Sequence, residues 1–181
     1  MNTDLKKTLV SETEIQDIIT RISNQINEDY RGKNLLICGV LKGALMFMSD
    51  LIRKINTPAK LEISFIKASS YGQSTVSNKN IQVHEFYDFS RYKDKDFEIL
   101  LVDDILDTGY TLSYLQEYFM GKNLFSDANI CVLLDKYERR EKPVCVKYIG
   151  KQIQDEFVVG YGLDYDEKYR ELPYIGAIYT T

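Results

Sequence analysis

One run constrains this chain more than any other. Phe97-Glu98-Ile99-Leu100-Leu101-Val102 reads as a strand buried on both faces, and it ends directly in Asp103-Asp104. Strands that are apolar without alternation belong to the interior of parallel sheets with helices on both sides. Carboxylates at the end of such a strand have to leave the core. The chain therefore turns outward at the carboxyl edge of the sheet, where open α/β sheets bind their ligands.

The residues that follow, Ile105-Leu106-Asp107-Thr108-Gly109-Tyr110-Thr111-Leu112, open a turn and lead into a helix expected over residues 111–120, with Gly121 as its stop signal. Successive backbone N–H groups in such a turn, together with a helix N-terminus, form an anion cradle to which Thr108 and Thr111 can add hydroxyl donors. Acids beside the cradle would repel a bare phosphate. A phosphorylated sugar removes the conflict, because the cradle takes the phosphate while Asp103 and Asp104 accept hydrogen bonds from sugar hydroxyls or help to hold magnesium. These residues alone leave two alternatives open. Asp and Thr before a helix are ordinary caps, with Gly109 supplying turn geometry, and Asp-Asp after a strand also occurs in phospho-acceptor domains and magnesium phosphatases. The sequence contains neither GxGxxG nor GxxxxGK[ST], so neither the dinucleotide fingerprint nor the P-loop offers a rival assignment.

The rest of the chain fits the same sheet. Ser11 and Glu14 make a capping box before Ile15, Ile18, Ile19, Ile22 and Ile26, an amphipathic helix ending near Arg31-Gly32. Strands are expected at 34–40, 61–67 and 128–134, with extended pieces at 81–86, 144–148 and 157–161. A strongly apolar helix at 44–55 should be buried on more than one side. Residues 68–80, rich in Ser, Asn, Gly and Gln, are expected to form an exposed, mobile loop. The alternation of strands and helices predicts an α/β fold with a mainly parallel central sheet covered on both faces. Lys42, Asp103, Asp104 and Lys136 then all lie at strand exits on one edge.

Composition narrows the function. At 181 residues the chain is expected to be one domain with room for a small hood, and 44% apolar residues exclude a disordered polymer. A net charge of -4 argues against non-specific nucleic-acid binding and for a local phosphate site. Three cysteines, Cys38, Cys131 and Cys145, without a CxxC pair read as free thiols in a reducing compartment. No segment reaches membrane-spanning length, so a cytoplasmic location with no membrane partner is expected.

Taken in order, Leu41-Lys42-Gly43, Ser70-Tyr71, the stretch from Val102 to Thr111, Leu134-Asp135-Lys136 and the stretch from Phe157 to Tyr165 resemble the purine phosphoribosyltransferases, specifically the bacterial hypoxanthine or hypoxanthine-guanine type. The resemblance implies the type I phosphoribosyltransferase fold, with a hood at about 150–181 and a flap over the site at about 68–80. It also implies transfer of the 5-phosphoribosyl group from phosphoribosyl pyrophosphate to N9 of a 6-oxopurine, with Mg2+ as cofactor and a homodimer or homotetramer as the assembly. By the same resemblance, Asp103 and Asp104 contact the ribose hydroxyls, and Asp107, Thr108, Gly109, Tyr110 and Thr111 embrace the 5-phosphate. Asp107 also accepts the proton of purine N7. Lys42, Gly43 and Arg170 attend the pyrophosphate, and Ser70 and Tyr71 belong to the flap. Lys136 donates to the 6-oxo group, Phe157 stacks on the base and Val158 offers backbone contacts. Asp164 lies near the purine 2-position and joins Asp103 and Asp104 in the metal environment.

The family usually carries Glu-Asp where this chain has Asp103-Asp104, which makes Asp104 the firmer ribose contact. In that family the peptide before the lysine of the pyrophosphate loop is often cis. Two rivals share the fold: a xanthine-preferring transferase and an RNA-binding regulator, and the latter needs a continuous basic face that a net acidic chain hardly supplies.

Overall fold

The computed structural model describes residues 5–71 and 80–179. The apolar runs form the centre of its main sheet. In chain order the strands of that sheet are β2 (Asn34–Leu41), β3 (Lys60–Tyr71), β4 (Asn80–Glu85), β5 (Phe97–Leu106), β6 (Ala128–Asp135) and β7 (Tyr148–Gln152). They are laid side by side in the order β4-β3-β2-β5-β6-β7. All ladders are parallel except the edge pair β3 and β4. A second sheet of three strands joins β1 (Leu5–Val10) to β9 (Ile175–Ile178) and β9 to β8 (Val158–Val159).

Alternate residues of the buried strands serve opposite layers, as the period of two requires. Leu35, Ile37, Leu100, Val102, Cys131 and Leu133 pack with the isoleucine stripe of α1 (Glu12–Asp29) and with Phe47, Met48 and Leu51 of α2 (Leu45–Ile52). Leu36, Cys38, Ile99, Leu101, Ile130 and Val132 pack on the other side with Leu112, Leu115 and Phe119 of α3 (Tyr110–Gly121) and with Phe89 and Phe125. Both faces are therefore covered, as the sequence predicts. Burial also pushes the Cys38 and Cys131 thiols well above their ordinary range, which keeps them unreactive.

Several boundaries differ from expectation. β5 runs on to Leu106 instead of stopping at Val102, because Asp103 and Ile105 stay in register with Val132 and Leu134 of β6. β3 continues through Ala68 to Tyr71 and pairs with the start of β4, so the first four residues of the segment expected as loop are ladder. Asn80, the last residue of that expected loop, begins β4, and residues 72–79 lie outside the described residues. The last extended pieces are displaced as well: β7 begins at Tyr148, the final residue of the piece expected at 144–148, and β8 is confined to two residues. Gly121 does not stop α3 by a left-handed turn. It is the last helical residue, and the positive φ falls two residues on, at Asn123.

Packing and caps show similar departures. Helix α2 buries one face only and leaves Leu45 and Met46 exposed. The Ser11 cap is present, its hydroxyl accepting from the Glu14 amide at 3.2 Å, while the Glu14 carboxylate turns instead to Lys151 at 2.5 Å. Residues 150–181 supply part of β7 and all of β8 and β9, and β1, from the opposite end of the chain, completes their small sheet.

The aromatic layer on the α3 side gives a stability test. Phe119 is fully buried with its ring 5.0 Å from Phe89 in an edge-on contact and 5.9 Å from Phe125. Phe119→Ala is expected to cost roughly 3–5 kcal/mol in urea unfolding, whereas the same change at exposed Tyr137 should lie within about 0.5 kcal/mol of the parent.

Candidate functional site

The parallel strands β2, β5 and β6 all end at one edge, and the residues singled out by sequence leave the sheet there. Lys42 and Gly43 follow β2, the acidic run forms the end of β5 and the turn into α3, and Lys136 follows β6. Fit at this edge is close. A side chain on Gly43 would begin 1.7 Å from the Asp104 Oδ2, and one on Gly162 would begin 2.1 Å from the Gly43 carbonyl oxygen. Missing side chains thus let three distant segments touch. The Leu41–Lys42 peptide is cis.

Because β5 continues past Val102, Asp103 is held inside the sheet. It is 8% exposed, and its Oδ1 accepts the Asp104 amide at 3.0 Å, while Asp104 Oδ1 accepts the Ile105 amide at 2.8 Å. Burial, followed by the neighbouring Asp104 charge, pushes the Asp103 carboxyl well above the usual carboxylate range. Burial also raises Asp104, against hydrogen bonds from Asp103 and the Ile105 amide that favour its charged form.

The turn that follows is braced by residues 140–142. The Glu141 and Lys142 amides both donate to the Thr108 carbonyl at 3.0 Å, and Arg140 Nε donates to the Asp107 carbonyl at 3.1 Å. Arg140 is itself held by buried Asp135. Gly109 is the N-cap of α3 at φ 93°, and a side chain there would meet the Lys142 carbonyl oxygen at 2.3 Å, so only glycine fits. The helix carries no side-chain cap, which leaves its first amides to face the turn.

Two cavities meet at this turn. One is lined by Asp103, Leu106, Thr108, Gly109, Thr111 and Leu112, and the other by Asp104, Lys136, Phe157, Val158, Leu163 and Asp164; Ile105 and Asp107 line both. In the second, Lys136 is buried, with its ammonium 3.8 Å from Asp155, while Phe157 is 41% exposed and touches Tyr165 edge-on at 5.5 Å. Val158 is buried in the ladder with Ala177. Asp164 pairs with Arg170 at 2.7 Å and accepts the Glu167 amide at 2.9 Å. Arg170 also donates to the Gly162 carbonyl at 2.7 Å. Tyr110 begins α3 beside the first cavity. Ser70 and Tyr71 end β3, and only their backbone is described.

The structure adds ion-pair partners that no motif in the sequence points to. Arg139 lies 2.7 Å from the Asp107 carboxylate and 3.3 Å from Asp155, and Glu167 lies 2.9 Å from Lys42. The basic cluster at 136–142 is visible in the sequence, but the acidic partners of Lys136 and Arg139 are 15 or more residues away along the chain.

Among the described residues, no group of three His, Cys, Asp or Glu side chains converges to hold a metal by itself. Asp103 is turned onto its own backbone, and Asp164 is occupied by Arg170 and the Glu167 amide. The donor set suits magnesium brought in with ligand oxygens, since that ion is commonly held by one or two carboxylates plus substrate phosphates.

A phosphoribosyl transferase domain model matches residues 7–166, so the chain belongs to the phosphoribosyltransferase family. Within it, the chain is 46% identical to a hypoxanthine-guanine phosphoribosyltransferase of Staphylococcus aureus over 98% of its own length and 96% of the relative's. A crystal structure of the hypoxanthine phosphoribosyltransferase from that organism superposes with a TM-score of 0.87 at 42% identity, covering 99% of this chain and 96% of the other. A Bacillus anthracis hypoxanthine-guanine phosphoribosyltransferase superposes at 0.88 with 38% identity, covering 97% of this chain and 100% of that one.

The buried acidic pair makes a stability prediction. A carboxyl raised in the folded state leaves stability intact below its unfolded pKa of about 3.9, and that stability is lost as pH rises through the folded value. In metal-free buffer, Asp103→Asn should therefore raise Tm at pH 7, by roughly 2–4 °C for each kcal/mol recovered, and the gain should shrink toward pH 4. An equal gain at both pH values would contradict the assigned cause.

Proposed function

We propose that this chain transfers the 5-phosphoribosyl group from phosphoribosyl pyrophosphate to N9 of hypoxanthine or guanine, forming IMP or GMP and releasing pyrophosphate. The observation that carries the proposal is the pair of cavities joined at Asp107. One is walled by a braced turn and a helix N-terminus suited to a phosphate, and the other by a buried lysine and a half-exposed aromatic ring suited to a flat 6-oxo base. The bond that changes would form between them.

In this scheme the amides of Thr108 to Thr111 take the 5-phosphate at the start of α3. Asp104, with Asp103 behind it, accepts from the ribose hydroxyls. Lys42, Gly43 and Arg170 receive the pyrophosphate, and Ser70 and Tyr71 carry the flap that shuts out water. Lys136 donates to the 6-oxo oxygen, Phe157 stacks on the ring, Val158 supplies backbone contacts and Asp164 faces the 2-position. A 6-amino purine would present a donor to the Lys136 ammonium, so adenine is disfavoured.

Attack by N9 on the anomeric carbon breaks the bond to pyrophosphate through an oxocarbenium-like state, and Asp107 receives the proton released at N7. Magnesium, when bound with the substrate, supplies charge neutralisation at the pyrophosphate oxygens; Asp104 and Asp164, with Asp103 more deeply placed, are the carboxylates that would attend it. The free, buried Cys38 and Cys131 support a reducing, cytoplasmic setting. Exposed Leu45 and Met46 on α2 and Ile63 on β3, 44%, 38% and 53% accessible, support assembly into a dimer or tetramer.

Asp107→Asn should leave Tm and ribose 5-phosphate binding close to those of the parent and lower kcat about 10²-fold or more, the range for loss of a general base. Unchanged turnover with both hypoxanthine and guanine would remove the proton-accepting role. Pyrophosphate release measured with hypoxanthine, guanine, xanthine and adenine separately should be led by the first two, and a lead by xanthine would overturn the base assignment.

A further inference from the structure

Glu167 lies against both cations that the proposed reaction assigns to pyrophosphate. Its Oε2 accepts from the Lys42 ammonium at 2.9 Å, and its Oε1 lies 3.4 Å from the Arg170 guanidinium. Neither cation has another role that requires this carboxylate. Arg170 is already anchored by Asp164 and by the Gly162 carbonyl, and its Nε still lacks a hydrogen-bond partner. Lys42 stands 57% exposed at the end of its strand. The Glu167 side chain is also 64% exposed, so it contributes nothing to the core. Its carboxylate is held at this spot by a tight turn, in which the Glu167 amide donates to Asp164 and φ is 61°.

An anion held by two cations at the mouth of a site has the chemistry of one end of a diphosphate: oxygen acceptors, negative charge and a bridging reach. We propose that Glu167 is an internal substitute for the pyrophosphate moiety, which occupies Lys42 and Arg170 until the substrate displaces it and returns as pyrophosphate leaves. The inference rests on the reading that Lys42 and Arg170 receive pyrophosphate. Glu167 then lowers the net affinity of the site for pyrophosphate, because each binding event exchanges one ion pair for another. A weaker hold on the product favours its release.

The test is calorimetric titration of inorganic pyrophosphate with magnesium into the full chain, its Glu167→Gln and Lys42→Ala variants, and the double variant. Gln keeps the shape of Glu and its backbone demands, and a thermal melt confirms that each variant is folded. Removing the competing carboxylate should tighten pyrophosphate binding about two- to five-fold, the range of an exposed ion pair. That gain should shrink in the Lys42→Ala background, where only the longer contact to Arg170 remains for Glu167. Binding of ribose 5-phosphate, which has no pyrophosphate, should be unchanged by Glu167→Gln.

Unchanged or weaker pyrophosphate binding in Glu167→Gln, with Lys42→Ala clearly weakened, would overturn the substitution while leaving the pyrophosphate assignment standing. Equal tightening of ribose 5-phosphate would also overturn it, by tracing the gain to overall charge. Pyrophosphate binding untouched by Lys42→Ala would instead defeat the assignment of the cations themselves.

Discussion

Strand β5 is hydrogen-bonded on both sides, to β2 and to β6, and the position of the whole site follows from that double ladder. Its register pairs Gly39 with Val102, Asp103 with Val132 and Leu106 with Asp135. A slip of one residue would exchange the two sets of buried side chains between layers, placing Leu100 and Val102 among the aromatic residues and Leu101 among the isoleucines of α1. Since no such slip is tolerated, the acids emerge at one fixed level. That level is shared by the end of β2, where Lys42 stands, and by the end of β6, where Lys136 stands.

Register brings the segments to the same edge, and absent side chains bring them into contact. Gly43 admits the Asp104 carboxylate, Gly162 admits the Gly43 carbonyl and Gly109 admits the Lys142 carbonyl. Each contact joins parts of the chain that are far apart in sequence, so the loop after β2, the acidic run of β5 and the segment around Gly162 share one small volume. The same crowding has an electrostatic cost. Two adjacent carboxylates are held in a sheet edge that burial makes unfavourable for charge, a cost that ligand hydroxyls or a cation would offset.

The sequence discloses the centre of the main sheet well because β2, β5 and β6 are self-contained apolar runs, and α1 because its isoleucines repeat at helical spacing; β7, Tyr-Ile-Gly-Lys-Gln, has no such run and was displaced. The small sheet is hardly legible. β8 has two residues, β9 contains Gly176 and Ala177, and β1 is exposed at Lys6, Lys7 and Thr8, so none shows a pattern by itself, and their pairing spans almost the whole chain. The acidic turn and its two flanking lysines were readable because strand exits in a parallel sheet share an edge. The partners of those groups were not readable. Arg139 on Asp107 and Glu167 on Lys42 are surface charges in ordinary charged stretches, and only folding shows which acid each cation meets. Asp103 illustrates the opposite failure: the apolar run puts it at a strand exit, outside the core, but β5 keeps pace with β6 for four residues beyond that run and buries it.

A crystal structure of the full chain with phosphoribosyl pyrophosphate and magnesium tests the central claim most directly. The account predicts the 5-phosphate within hydrogen-bonding distance of the amides of Thr108, Gly109, Tyr110 and Thr111, with the ribose hydroxyls toward Asp104. A donor bound in full occupancy with its 5-phosphate away from that turn would contradict it.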